Sequence, residues 1–141
     1  MTESLSFDIR SADGALLALG PADPDVYSAR ITAPGLSAQV AVFHYRGDRL
    51  DEFFAGLARD WRGWDGERGW RCLEAALAIG ATISRAGAIT LRVELRNSPK
   101  FTWQVTYDFI VENGSLDGIA TGASRFVECL GRPRDSRRAH V

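Results

Sequence analysis

The chain has 141 residues, 45% of them hydrophobic and 25% charged, with 17 basic against 18 acidic side chains and a formal net charge of −1. That length fits one globular domain with a real core, and the composition excludes wholesale disorder. The even charge balance excludes a global electrostatic drive toward nucleic acid or anionic membrane, and no run approaches the roughly 18 apolar residues of a spanning helix.

The N-terminal stretch shows no basic start followed by an apolar run, so no signal peptide is read there and a cytoplasmic setting is expected. Leu5, Phe7 and Ile9 alternate with polar residues ahead of an Asp13-Gly14 turn, and Leu16 to Leu19 fold back on them. Residues 26–33 and 36–45 flank Pro34-Gly35, a pair suited to the centre of a type II turn. Across it Ile31 meets Ala38, Ala29 meets Val40 and Tyr27 meets Val42, giving a hairpin with one apolar face. Residues 48–61 switch to helical spacing. Leu50, Phe53, Phe54, Leu57, Ala58 and Trp61 form one stripe, and Asp48 stands where an N-cap belongs.

Alternation returns after residue 71. Leu73, Leu77, Ile79 and Ile83 share one parity, so 72–83 is read as a strand, with a helix as the alternative because alanine favours it. Ile89, Leu91, Val93 and Leu95 form the next strand. Phe101, Trp103, Val105, Tyr107, Phe109 and Val111 form the last, beyond an Asn97-Ser98-Pro99 turn. The expected registers set Ile83 opposite Ile89, Ile79 opposite Val93 and Leu77 opposite Leu95. They also set Leu95 opposite Phe101, Val93 opposite Trp103 and Leu91 opposite Val105. Residues 115–131 carry a second helical stripe from Leu116 to Leu130, with Ser115 as cap and Gly131 then Pro133 as stop. Arg132, Arg134, Arg137 and Arg138 make residues 132–141 a basic, solvated tail without the aromatic partners of a nucleic-acid platform. The expected fold is one α+β domain over residues 1–131. It is an antiparallel sheet of about seven strands with two helices on one face, in the order β-β-β-β-α-β-β-β-α.

The most unusual segment is Trp61 to Trp70, which holds three of the four tryptophans, three glycines and four charges. It is either a structural connection whose indoles cap the core or an aromatic clamp, with Trp64, Asp65, Glu67 and Arg68 as the binding residues; the structural reading is preferred. Trp61 and Trp70 are expected to be buried, and Trp64, mid-loop between glycines, is the least secure of the three. Small residues mark two candidate interfaces. Ala76, Ala78 and Gly80 lie on the outward parity of strand 72–83, and Gly118 and Gly122 lie beside the apolar stripe of the last helix. In each case the first choice is an intramolecular neighbour and the second a partner chain. His44, Cys72, Cys129 and His140 show no metal-ligand spacing, and no nucleophile stands near a base in sequence. No P-loop or dinucleotide fingerprint occurs, so no cofactor, metal or catalytic residue is assigned.

The run W-x-G-W-x-G-E-R-x-W-x-x-L-E at Trp61 to Glu74, with L-R-V-E-L at Leu91 to Leu95, Trp103 and V-E-N-G-x-L at Val111 to Leu116, resembles a family of small uncharacterised actinobacterial proteins, a domain of unknown function. The resemblance covers about half the chain and implies a shared α+β fold without an activity. Size and layout are also similar, in general shape, to immunity proteins of bacterial toxin systems. The expected function is a non-enzymatic protein-interaction domain, toxin-neutralising or homodimeric, with no nucleic-acid or membrane partner. The alternative is a small-molecule binding domain with a pocket near the loop 61–70.

Overall fold

Alternating apolar residues in the first forty positions build a four-stranded antiparallel meander. The structure, a computed structural model, describes residues 6–21 and 25–130. Strands β1 (Phe7–Arg10), β2 (Leu16–Leu19), β3 (Val26–Ala33) and β4 (Leu36–Phe43) pair in sequence order as sheet A. The expected pairs Ile31–Ala38, Ala29–Val40 and Tyr27–Val42 all form. Helix α1 (Leu50–Arg59) follows. A second meander, sheet B, comprises β5 (Arg68–Arg71), β6 (Leu77–Ile83), β7 (Ala88–Arg96) and β8 (Gln104–Glu112), and α2 (Leu116–Cys129) comes last.

The chain is thus α+β and antiparallel, but eight strands form two sheets where one sheet of about seven was expected. Both sheets turn their apolar faces into one core. Ile9, Leu17, Ile31 and Val40 enter it from sheet A, and Ile79, Leu91, Val93 and Phe109 from sheet B. The helices pack against each other and bring Leu50, Phe54, Leu57, Ala123 and Phe126 to the same core. No helix among the described residues is long and apolar enough to cross a membrane. The expected basic tail lies outside the described residues.

Three local differences have physical causes. Strand β6 begins at Leu77 because Cys72–Ala76 form a turn, closed by the Ala75 amide on the Cys72 carbonyl, with Ala75 in the left-handed region at φ 63°. From Leu77 onward the expected pairs Leu77–Leu95, Ile79–Val93 and Ile83–Ile89 are all present. Between β7 and β8 the register is displaced by four: Leu95 faces Val105, Val93 faces Tyr107 and Leu91 faces Phe109. The inward set keeps its parity, but residues 97–103 become a loop. Asn97 accepts the Trp103 amide through Oδ1 at 2.8 Å and donates from Nδ2 to Thr102 Oγ1, so pairing starts only at Arg96–Gln104. Phe101 and Trp103 are therefore exposed. The helix caps also differ. Asp48 accepts the Tyr45 amide in a short 3-10 turn ahead of α1, and Ser115 Oγ donates back to the Glu112 carbonyl, so neither caps its helix with its side chain.

Candidate functional site

The Trp-rich segment does not stay a loop. Gly66, at φ 69°, turns the chain so that Arg68–Arg71 become β5, the first strand of sheet B. The tryptophans divide differently from expectation. Trp61 lies beyond the end of α1 and is 47% exposed, because the helix stops at Arg59 and carries its stripe no further. Trp64 and Trp70 are half-buried against the core, each with its indole N–H committed: Trp64 Nε1 donates to the Ala81 carbonyl at 3.1 Å and Trp70 Nε1 to the Asp48 carbonyl at 2.5 Å. The Arg68 guanidinium covers the Trp64 ring at 5.2 Å and pairs with Asp60 at 2.7 Å.

The residues singled out in this segment therefore separate. Asp65 points to an open depression of about 400 Å³ beside Arg62, Trp64 and Arg85. Glu67 belongs to a different surface, an open groove of about 450 Å³ on the outer face of sheet B. Its floor is Gly69, Ala78 and Gly80, which present backbone and one methyl. Glu67, Arg71, Arg92 and Glu94 stand around it. The Glu67 carboxylate lies so close over Gly80 that a Cβ there would run into it. Arg92 pairs with Asp108 at 3.2 Å, whereas Arg71, Glu67 and Glu94 have no ion-pair partner within 4 Å among the described residues.

Of the small residues that mark the candidate interfaces, Ala78 and Gly80 line this groove. Ala76 does not: it is 1% exposed, because the left-handed Ala75 resets the side-chain alternation before β6 begins. Gly122 packs inward, where an added Cβ would come 3.1 Å from the Phe7 ring, and Gly118 faces open space. His44 follows the end of β4 beside an open depression with Asp25, Tyr45 and Glu74. Both cysteines are free thiols, and no group of three or more His, Cys, Asp or Glu side chains converges among the described residues.

Backbone geometry adds what side-chain reading missed. Hydrogen-bonded and non-bonded pairs alternate along an antiparallel ladder. The Cys72 amide donates to the Leu77 carbonyl, and the Arg96 amide to the Ala76 carbonyl. Together these fix the phase: Trp70 and Arg68 bond to β6, while the amides and carbonyls of Gly69 and Arg71 point away from the sheet. None of those four outward groups has a hydrogen-bond partner among the described residues. At the opposite edge of sheet B the same alternation points the Ile110 backbone groups of β8 outward, and there Ser11 Oγ accepts the Ile110 amide and the Ala12 amide donates to its carbonyl. One edge of sheet B is capped at this point and the other is open.

The elements and this edge define a two-sheet α+β fold with an edge strand, paired on one side only, at the margin of a charged groove. The chain belongs to a family of unknown function, DUF6228, whose model matches residues 19–129. The match runs from the last residue of β2 to the last residue of α2 and includes the whole of sheet B. No curated protein matches the chain.

Proposed function

We propose that this chain is a protein-interaction domain that binds a partner chain along the open edge of β5 and the adjoining groove of sheet B. The observation that carries the reading is the set of unpartnered outward amides and carbonyls at Gly69 and Arg71, on a strand whose glycine is itself exposed. An extended segment added there would satisfy all four groups by main-chain hydrogen bonds, and the residues around the groove would select its side chains. Toxin neutralisation and self-association are both uses of such an edge. The small-molecule reading has less support: the indole N–H groups of Trp64 and Trp70 are spent on backbone carbonyls, and Arg68 covers one face of Trp64.

The reading is tested by photo-crosslinking in cells from position 78, on the groove floor, with position 39 on the outer face of sheet A as control. A discrete adduct from position 78 that disappears in Gly69→Pro supports it. No adduct from 78, or the same adducts from both positions, overturns it. Gly69→Pro removes an outward amide and no ladder bond to β6, so the fold is retained.

A further inference from the structure

Taking that reading as its basis, we infer that the strand added to β5 is β5 of a second copy of this chain, antiparallel, on a two-fold axis through Gly69.

Sheet edges are normally kept from pairing by features of the edge strand itself. A short strand with charged side chains is a guarded edge, because an incoming strand must bring those charges against its own. Strand β5 has four residues and two arginines, with Glu67 directly before it. Glu67, Gly69 and Arg71 share the parity of the outer face, and all three lie at the groove. Read backwards, the same three positions are arginine, glycine, glutamate. The charge order is self-complementary about Gly69, so the guard excludes most strands and admits the reverse of itself.

Ladder parity makes the register specific. The outward hydrogen-bonding positions are odd-numbered, so they must meet odd-numbered positions of the second copy. With Gly69 opposite Gly69, Glu67 faces the second copy's Arg71 and Arg71 faces its Glu67, and the two backbones meet at the axis with no side chain between them. Opposite charges directly across a strand pair are stabilising, and like charges are not. On the inner side this register sets Arg68 opposite the second copy's Trp70, a cation against an aromatic face, the pairing Arg68 already makes with Trp64. The neighbouring registers fail. Moving by two in one direction puts Arg71 against Gly69 and leaves Glu67 facing Leu73. Moving by two in the other puts Arg68 against Arg68. The isologous two-fold arrangement is the commonest way for one surface patch to serve both subunits.

The long edge of β4 is the competing site, where the bond from the His44 amide to the Asp25 carbonyl fixes the phase and directs the backbone amides and carbonyls of Ser37, Gln39, Ala41 and Phe43 outward. It carries no charge to set a register, and Gln39 is turned inward onto its own sheet, with Oε1 accepting from Arg30 and Nε2 donating to Ser28.

A ladder this short gives a weak dimer, so the test is sedimentation equilibrium of the full chain over a concentration series. The expected result is a reversible monomer–dimer equilibrium. Glu67→Arg and Arg71→Glu each weaken it at least about tenfold, since two ion pairs become two repulsions. The double variant regains the original affinity. Mixing the two single variants forms the heterodimer, because each then supplies the charge the other lacks, and this readout depends on no single variant being less stable. A chain that stays monomeric throughout overturns the inference. So does a dimer indifferent to both charge reversals, or one lost in Gln39→Pro on the β4 edge and retained in Gly69→Pro. A monomer that still yields a heterologous adduct from position 78 overturns the second-copy assignment and leaves the underlying reading intact. No adduct of any kind from that position overturns the underlying reading itself.

Discussion

Replacing Phe126 with alanine tests whether α2 is anchored as described. The ring is fully buried, stands edge-on to Tyr27 with centroids 5.1 Å apart, and lies 6.4 Å from Phe7 at a tilt of 31°. Phe7 in turn meets Phe54 of α1 edge-on at 5.6 Å, so Phe126 and Phe7 together tie both helices to β1 and β3. Truncating a fully buried phenylalanine costs about 3–5 kcal/mol, of which each aromatic contact accounts for roughly 0.5–1.5 kcal/mol. Against a total stability of about 5–15 kcal/mol, that is a large fraction. Equilibrium urea unfolding, followed in parallel by far-UV circular dichroism and fluorescence, measures the loss as a fall in midpoint at unchanged m. Phe126→Leu, which refills most of the volume, loses clearly less. A loss below about 1 kcal/mol for the alanine variant, little more than one buried methylene, would show that α2 is not docked through this ring.

Two further outcomes follow from side-chain environments. In variants retaining one tryptophan each, iodide quenches Trp61 and Trp103 freely and Trp64 and Trp70 weakly, because the last two are half-buried with their N–H groups engaged; a freely quenched Trp70 would contradict its place against the core. The Asp13 carboxyl, which accepts the Tyr107 hydroxyl at 2.7 Å and the Ala15 amide at 3.0 Å, is held below the ordinary carboxylate value, chiefly by the Tyr107 bond. A depressed folded-state value stabilises above the unfolded pKa, near about 3.9, and that contribution is lost as pH falls through the folded value. Tyr107→Phe therefore raises the Asp13 pKa in a carboxyl NMR titration and lessens the acid loss of stability. An unmoved titration would place the cause elsewhere.

Much of sheet order was legible because alternation carries it. Tyr27–Val42 and Ile83–Ile89 could be paired from sequence, since a one-residue slip would have turned each apolar set outward. Parity leaves larger displacements open. The β7–β8 register moved by four without exposing one core position between 105 and 111, and what decided it was local: Asn97 bonding across the loop to Trp103 and Thr102. Two sheets and one sheet were likewise indistinguishable, because each demands the same single apolar face per strand. Ala75 carried no signal of its left-handed conformation, and the misplacement of Ala76 follows from that alone.

The edge was hidden for a related reason. Strand β5 has a single large apolar side chain, Trp70, between two arginines and a glycine, so it offers almost nothing to a periodicity reading. A strand with so little to bury gains least from a second neighbour, and the margin of the sheet is where such a strand belongs. The composition that made Arg68–Arg71 look like a loop is therefore the composition of an edge. What sequence could not supply is the phase of the ladder, which depends on two hydrogen bonds, from Cys72 to Leu77 and from Arg96 to Ala76, made outside β5 itself. Once that phase is set, the glutamate, glycine and arginine at 67, 69 and 71 stop being three scattered polar residues. They become one row, facing the same way, with opposite charges at its two ends. A row of that kind meets its own charge complement in a second copy approaching antiparallel, and this symmetry gives an otherwise guarded edge one complement in its own reverse.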